Sequence, residues 1–224
     1  MDIERRNQLA REALDGYLSG PDAPVEATAA AVATADSARS VILVEGISDQ
    51  IALETLAGRL GRDLKAERVV VVSIGGAQAI EGHLTRFGPN GAGLALTGMC
   101  DAGEEKHFRL ALTAAGLGSP RNRTDLERLG FFVCVEDLED ELIRACGREA
   151  IETLLDSQGD LGSFRTLQQQ PAWRSQPFRA QMRRFLGAGA RRKLRYARLL
   201  VLSSDPDRIP QPLEAVLAMA CFRR

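Results

Sequence analysis

Four short apolar runs, each followed by a segment of helical periodicity, constrain the fold of this chain most. The runs cover residues 41–44, 69–74, 94–100 and 131–135. Their length and their β-branched content are typical of buried parallel strands. Behind the first run, Leu53, Leu56 and Leu60 recur at helical spacing. Alternation of strand and helix predicts an α/β fold, in which helices flank a central parallel sheet of about four strands.

Acidic residues follow three of these predicted strands. Glu45 comes directly after the first strand, with Asp49 one helical turn beyond, Asp101 follows the third strand, and Glu139 follows the fourth. Right-handed crossovers bring the carboxyl ends of parallel strands to one edge of the sheet, so we expect these carboxylates to meet there. Clustered carboxylates repel one another unless a cation neutralises them. Oxygen ligands without a histidine cluster favour Mg²⁺ or Mn²⁺ over zinc.

The alternative is that acids after strands cap helices and interact with the positive end of the helix dipole. It is the preferred interpretation for four acids near the third and fourth helix starts: Glu104, Glu105, Asp137 and Glu141. It is less suited to Glu45 and Asp101, which lie at the strand ends themselves. Ser48 or Asp49 is expected to cap the helix that follows the first strand.

The stretch Val-Glu-Gly-Ile-Ser-Asp at residues 44–49 resembles the first motif of the TOPRIM domain. TOPRIM is the metal-binding module of topoisomerases, primases and the OLD (overcoming lysogenization defect) nucleases, and the OLD group is the most similar. Glu45, Gly46 and Asp49 match its Val-Glu-Gly-x-x-Asp/Glu pattern, and the Gly-Gly pair at residues 75–76 matches the glycine turn before its second helix. The resemblance implies a Rossmann-like TOPRIM fold.

The resemblance also implies roles for individual residues. It makes four acids the ligands of Mg²⁺ or Mn²⁺: Glu45, Asp49, Asp101 and Glu139. Glu45 and Asp101 would also belong to the catalytic set. The second Asp of the family's Asp-x-Asp motif falls on Gly103, so one ligand is missing or is supplied by Glu104 or Glu105. This departure leaves the number of metal ions open.

The carboxyl-terminal part of the chain carries most of the basic charge. Residues 160–224 contain 13 Lys or Arg and 4 Asp or Glu, whereas residues 1–159 contain 16 and 26, which gives net charges of +9 and −10. A basic surface attracts phosphate. Five arginines are predicted nucleic-acid contacts: Arg183, Arg184, Arg191, Arg192 and Arg195. The other interpretation is that they stay in solvent or pair with the acidic part of the chain.

Aromatic residues and one lysine lie among these arginines. Four aromatic side chains either stack on bases or anchor amphipathic helices to the core: Trp173, Phe178, Phe185 and Tyr196. Lys193 is one of only three lysines against 26 arginines, and a compact ammonium can stabilise negative charge on a phosphate. It resembles the lysine that OLD-type nucleases carry in a helix after the acidic motifs, which implies a catalytic role. The alternative is a solvated helix lysine.

The composition, 45% hydrophobic and 26% charged, is ordinary for a globular chain. No apolar run reaches membrane-spanning length, and charges throughout the first 20 residues argue against a signal peptide. Four cysteines show no metal-binding spacing, and the two that lie in or at the end of apolar strands, Cys100 and Cys134, are expected to be buried reduced thiols. We therefore expect a cytoplasmic protein without a membrane partner.

We expect a helical amino-terminal extension at residues 1–39, a TOPRIM core at 40–146 and a basic helical region at 147–224. Two helices are predicted in the extension, one containing Leu9, Leu14 and Leu18 and one at about residues 26–38.

The chain lacks a P-loop, because the glycine-rich stretch at residues 88–93 has no lysine to hold phosphates. The sequence therefore predicts a stand-alone OLD-type TOPRIM endonuclease without the ATPase domain. It would hydrolyse phosphodiester bonds, preferentially in DNA, with Mg²⁺ or Mn²⁺ and a separate ABC-type ATPase as partner. One alternative is a non-enzymatic subunit that binds DNA or the ATPase through a degenerate site. Another is a small-molecule phosphoryl or nucleotidyl transferase or hydrolase. The oligomeric state stays open, a dimer included.

Overall fold

The computed structural model of the protein describes residues 3–15, 17, 23–35 and 37–222. Its centre is one parallel sheet with the strands β1 (Ser40–Val44), β2 (Val69–Ser73), β3 (Ala95–Cys100) and β4 (Phe131–Val133). The strand order is β2-β1-β3-β4, and Ile42 of β1 pairs with Val71 of β2 and Thr97 of β3. The predicted fold class is therefore confirmed.

Twelve α-helices surround the sheet in the described part of the chain. The first six are α1 (Ile3–Glu12), α2 (Ala23–Ala35), α3 (Ile47–Arg59), α4 (Ile80–Phe87), α5 (Glu105–Ala114) and α6 (Arg123–Arg128). The others are α7 (Leu138–Cys146), α8 (Arg148–Ser157), α9 (Leu161–Gln169), α10 (Phe178–Gly187), α11 (Ala190–Ser203) and α12 (Gln211–Phe222). Short 3₁₀ turns occur at Ala77–Ala79, Ala102–Glu104 and Pro206–Arg208. None of the described helices is both long enough and apolar enough to span a bilayer.

The two faces of the sheet are covered by different helices, because side chains alternate along each strand. Val41 and Leu43 of β1 belong to a hydrophobic cluster with residues of α2, α4, α5 and α6. Ile42 and Val44 belong to a second cluster, which includes residues of α3 and of α7 to α12. All four side chains are fully buried, so β1 is apolar on both faces as a central parallel strand requires.

The helices beyond residue 146 cover the sheet directly. Helix α12 packs on β1, β3 and β4, and it contributes Leu213, Val216 and Leu217, which are buried. Helix α11 packs along α3. The domain boundary at residue 146 stays a prediction. In the structure, residues before and after this boundary belong to the same hydrophobic core.

Strand β3 passes between β1 and β4 with no room for a side chain at Gly98. A Cβ atom there would lie 2.7 Å from the carbonyl oxygen of Leu43 and 2.9 Å from ring atoms of Phe131. Backbone on one side and a packed ring on the other leave little space to adjust, so this strand requires glycine. The register that results brings the end of β3 alongside the end of β1.

The amino-terminal helices differ in detail from the prediction. Helix α1 ends before Leu14, which lies in the following turn, and Leu18 is outside the described residues. The helix expected at about 26–38 forms as α2, which lies against β2, and the Thr28 hydroxyl donates to the carbonyl oxygen of Ser73 at 2.7 Å.

Strand β4 is shorter than predicted. The sequence suggested a strand to Val135, but the ladder ends at Val133. The reason is that the Val135 N–H donates to the Glu141 carboxylate at 2.7 Å, which ties this segment to α7. The expected reduced state of the cysteines fits the structure, in which all four are unpaired and Cys100 and Cys134 are buried.

Candidate active site

The ends of β1 and β3 are joined by the carboxylate of Glu45. Its Oε1 accepts a hydrogen bond from the backbone N–H of Asp101 at 2.7 Å. The end of β2 is joined to the same place, since the N–H of Gly76 donates to the carbonyl oxygen of Glu45 at 3.0 Å. Gly75 and Gly76 have positive φ angles of 76° and 111°, which glycine adopts without strain. The ends of β1, β2 and β3 therefore meet at Glu45.

Asp49 lies in the first turn of α3, one position of which was expected to cap the helix. The expectation that Ser48 or Asp49 caps α3 is wrong, because the helix begins at Ile47 and Gly46 is the capping residue. Gly46 is extended, and its N–H donates back to Oδ2 of Asp49 at 2.9 Å. Burial, and then the charge of Glu139, raise the pKa of Asp49 from 3.8 to about 7.

The charges of Glu45 and Asp49 also act on Asp101, the acid that follows β3. Burial raises the pKa of Asp101 from 3.8 to about 8, and the charges of Asp49 and Glu45 contribute to that rise. Burial is also the main reason that the pKa values of Glu45 and Glu139 are raised. Asp137, which follows β4, contributes to the raised pKa of Asp101 as well. The carboxylates at the ends of β1, β3 and β4 thus act on one another.

Of the two acids considered as substitutes for the missing Asp, Glu104 is the one that acts on Glu45. Its charge raises the pKa of Glu45, after the larger effect of burial. Glu105 instead pairs with Arg123 at 2.9 Å and with Arg109 at 3.6 Å. Gly103 itself lies exposed in the 3₁₀ turn that follows β3.

Lys193 of α11 brings a positive charge to the cluster. Its Nζ lies 3.2 Å from Oε1 of Glu139. Burial lowers the pKa of the Lys193 ammonium, but the charges of Glu139, Asp49 and Asp101 and the hydrogen bond to Glu139 together outweigh burial, so the net pKa is raised. Lys193 is therefore a fixed cation of the site and keeps part of its side chain, 43%, exposed. The structure places it where its predicted role requires, and the role itself stays a prediction.

Helix α11 is held in this position by a buried polar group that the sequence analysis missed. Asp160 is completely buried, forms an ion pair with Arg195, and accepts a hydrogen bond from the Tyr196 hydroxyl at 2.9 Å. Asp160 precedes an acid-free stretch that runs to residue 204, which was the available sequence signal. Since Arg195 is only 6% exposed, we leave it out of the surface proposed for nucleic acid.

The other predicted arginines differ in their availability. Arg183 pairs with Asp137, with Nε to Oδ2 at 3.0 Å, and Arg192 donates to the carbonyl oxygen of Phe185 at 3.0 Å. Arg184 and Arg191 are exposed. The surface side of α10 and α11 thus retains available positive charge at Arg184 and Arg191.

The capping and pairing alternative holds for the acids at the start of α7. The Asp137 carboxylate accepts from the N–H of Asp140 at 2.8 Å, which makes Asp137 the N-cap of the helix. Glu141 is buried and pairs with Arg144. Arg179 pairs with Asp140, its Nη2 lying 2.7 Å from Oδ1.

Three of the four aromatic residues of the basic region belong to the core, and one lies at the surface. Phe185 and Tyr196 are buried, and Phe178 stacks edge-on against Phe164, with ring centroids 5.7 Å apart. These three anchor helices to the core. Trp173 is half-buried and lines a surface cavity together with Lys193.

The acidic cluster fits a hard divalent cation by its donor chemistry. Within residues 3–15, 17, 23–35 and 37–222, no three Asp, Glu, His or Cys side chains are close enough to form a ready-made metal site. The cluster nevertheless offers only oxygen donors, which suit Mg²⁺ or Mn²⁺. Burial and mutual repulsion raise the pKa values of Asp49 and Asp101, and a bound cation relieves both effects.

The parallel sheet of order β2-β1-β3-β4, with acids that follow β1 and β3 at its carboxyl edge, has the predicted Rossmann-like TOPRIM fold. Residues 38–87 match the family model of the overcoming lysogenization defect protein-like TOPRIM domain. The sequence match confirms the resemblance to the OLD type over the first two strands. Over most of the rest of the chain, the similarity to solved structures is one of fold.

Two solved structures illustrate that likeness. The chain is similar to the C-terminal region of the Xanthomonas campestris pv. campestris OLD protein, with 23% identity, a TM-score of 0.65, and coverage of 82% of this chain and 92% of that one. It is similar to the C-terminal region of the Burkholderia pseudomallei OLD protein, with 20% identity, a TM-score of 0.59, and coverage of 81% and 96%. Comparison with curated proteins gave no match.

Proposed function

We propose that this protein is a nuclease that hydrolyses phosphodiester bonds in nucleic acid, with DNA as the preferred substrate and Mg²⁺ or Mn²⁺ as cofactor. The observation that carries the proposal is the position of Lys193, 3.2 Å from Glu139 at the edge of a cluster of buried and partly buried carboxylates. An ammonium beside an acidic cation site is suited to a phosphate, because the ammonium and the bound cation would both stabilise its negative charge. The OLD-like TOPRIM match over residues 38–87 supports the same reaction class.

Four carboxylates would hold the cation: Glu45, Asp49, Asp101 and Glu139. When bound, the cation would neutralise charge on the phosphate and lower the pKa of a water molecule. The chain's own contribution is positional. The hydrogen bond from the Asp101 N–H to Glu45 fixes the spacing of the β1 and β3 ends, and Glu139 orients the Lys193 ammonium, which donates to phosphate oxygens.

Binding of the strand is assigned to the exposed arginines of α10 and α11. Arg184 and Arg191 are available to contact backbone phosphates, and Arg184 lines the same cavity as Lys193. A separate ABC-type ATPase is part of the proposal as a partner. It is suggested by the resemblance to OLD nucleases, which join an ATPase to the TOPRIM domain.

A non-enzymatic DNA-binding or ATPase-binding subunit is the second candidate function. Gly103 stands where the family pattern has an acid, and it is exposed in the 3₁₀ turn after β3. Glu104, which acts on Glu45, is the residue that would have to compensate.

Nicking of supercoiled plasmid DNA in Mg²⁺ or Mn²⁺ tests the two functions against each other. We expect cleavage by the native protein, and its loss in Glu45→Gln and Asp101→Asn, which remove charge with little change in shape. Glu152→Gln is the matched control, because Glu152 pairs with Arg148 and Arg165 away from the site. A protein that binds DNA but never cuts it in either metal would be the non-enzymatic subunit.

A further inference from the structure

A small cavity adjoins the acidic cluster on the side of the basic helices. Its volume is about 370 Å³, and its walls include Glu139, Lys193, Trp173, Arg183 and Arg184. It therefore shares the Lys193–Glu139 ion pair with the site proposed for the phosphate. A group in this cavity would be the immediate neighbour of that phosphate.

Trp173 lines the cavity on a backbone that is held in place by hydrogen bonds. Trp173 lies in the turn between α9 and α10, and its carbonyl oxygen accepts from Nε2 of Gln181 at 2.8 Å. Gln181 is only 6% exposed, and its Oε1 accepts from Nε2 of Gln168 at 2.8 Å. The N–H of Trp173 donates to the carbonyl oxygen of Gln170 at 2.8 Å. A platform whose backbone is fixed loses little entropy when a ligand stacks on it.

Two arginines line the cavity, one paired with a carboxylate and one exposed to solvent. Arg183 is engaged by Asp137, the N-cap of α7. Arg184 is exposed, and its guanidinium lies 5.9 Å from the centre of the Trp173 ring. Indole and guanidinium planes are the two surfaces on which proteins stack nucleobases.

We propose that this cavity is a subsite for one unpaired nucleobase, which stacks on Trp173 and thereby places its own phosphate beside Lys193. The proposal rests on the proposed nuclease function and names its substrate more narrowly. The cavity is at the lower end of the size range of small-molecule sites, which suits a single base. A paired base inside a duplex is stacked between its neighbours, so its face is not free to stack on Trp173. The substrate is therefore a strand with an unpaired or extruded base beside the scissile phosphate.

Tryptophan fluorescence of the full chain tests the proposal directly, since Trp173 is the sole tryptophan. Three probes of equal length are compared in Mg²⁺: single-stranded oligothymidylate, an abasic deoxyribose-phosphate strand, and a fully paired duplex. We expect oligothymidylate to quench the emission strongly and the other two to leave it nearly unchanged. Equal quenching by the abasic strand would overturn the proposal, because it would reflect charge alone.

Affinity for labelled strands gives the second readout. Trp173→Ala should weaken oligothymidylate binding by about 5- to 100-fold, the usual effect of removing one aromatic stacking partner, and leave abasic-strand binding unchanged. Trp173→Phe should restore most of the affinity, and it guards against misfolding of the alanine variant. Equal weakening for both strands in Trp173→Ala, without rescue by Phe, would show a structural role only. Plasmid cleavage is scored separately, so failure of the nuclease function and failure of the base subsite are distinguishable.

Discussion

Asp101 has the most strongly raised pKa among the acids of the site. Its pKa is raised from 3.8 to about 8, so between these values the folded protein binds a proton that the unfolded chain has released. The free energy of unfolding should therefore fall as the pH rises through this window. Asp49, with a pKa raised to about 7, acts in the same direction.

We expect the urea midpoint of the metal-free protein to decrease steadily from about pH 5 to about pH 8, and Asp101→Asn to flatten this decrease because its amide does not titrate. Glu152→Gln is the control, since burial is outweighed there by two arginines and the pKa of Glu152 is lowered. An unchanged pH slope in Asp101→Asn would mean that Asp101 is not the destabilising group.

The location of a site residue was predictable from the sequence where the residue directly follows a strand. Glu45 and Asp101 follow from the position of acids directly after parallel strands. Glu104 and Glu105 were not separable, because they are adjacent and a 3₁₀ turn decides which of them acts on Glu45. The burial of Arg195 was not predictable, since its partner Asp160 lies 35 residues away.

Helix α11 is the element that connects the core to the site. Lys193, Tyr196 and Leu200 follow one another at helical spacing, so the buried anchors at 196 and 200 determine where Lys193 lies. The sequence predicted a basic helical region here but not the ion pair of Asp160 with Arg195 that fixes it. The predicted strands and helices were otherwise found with shifts at their ends, while the order β2-β1-β3-β4 was not deduced from crossover handedness alone.

Removal of the Asp160 carboxylate should be costly. Asp160→Ala leaves the Arg195 guanidinium buried and without its carboxylate, and breaking such a pair typically destabilises by about 3–5 kcal/mol. Glu152→Ala breaks pairs with two largely exposed arginines and should cost about 1 kcal/mol or less. Urea unfolding at neutral pH measures both. A destabilisation in Asp160→Ala no larger than that in Glu152→Ala would show that α11 is held by its apolar packing alone.

At the scale of the whole molecule, the acidic and basic parts of the chain meet at the start of α7. Lys193 pairs with Glu139, and Arg183 pairs with Asp137. The pairing that the sequence left as an alternative thus accounts for part of the basic charge. What remains for a nucleic acid is the exposed charge, including Arg184 and Arg191.

Because Lys193 is paired and Arg184 and Arg191 are exposed, substitutions of the two kinds of residue should have different effects. Arg184→Ala with Arg191→Ala should weaken DNA binding and reduce the slope of its salt dependence by about 0.9 for each phosphate that the protein no longer neutralises. Lys193→Ala should leave binding nearly unchanged and slow cleavage about a hundredfold, the usual effect of removing one charge-stabilising donor. Binding at several salt concentrations and plasmid cleavage measure the two effects. Parallel decreases of binding and cleavage in both variants would reduce Lys193 to another phosphate-binding cation.

The packing of α12 across β1, β3 and β4 has a consequence for biosynthesis. A ribosome releases all four strands long before residues 211–222, so the part of the sheet that α12 covers stays exposed while nearly eighty further residues are translated. The acids of the site emerge early too, and their lysine counter-charge emerges later. A ribosome that stalls before α12 would leave an aggregation-prone nascent chain, a natural client for chaperones.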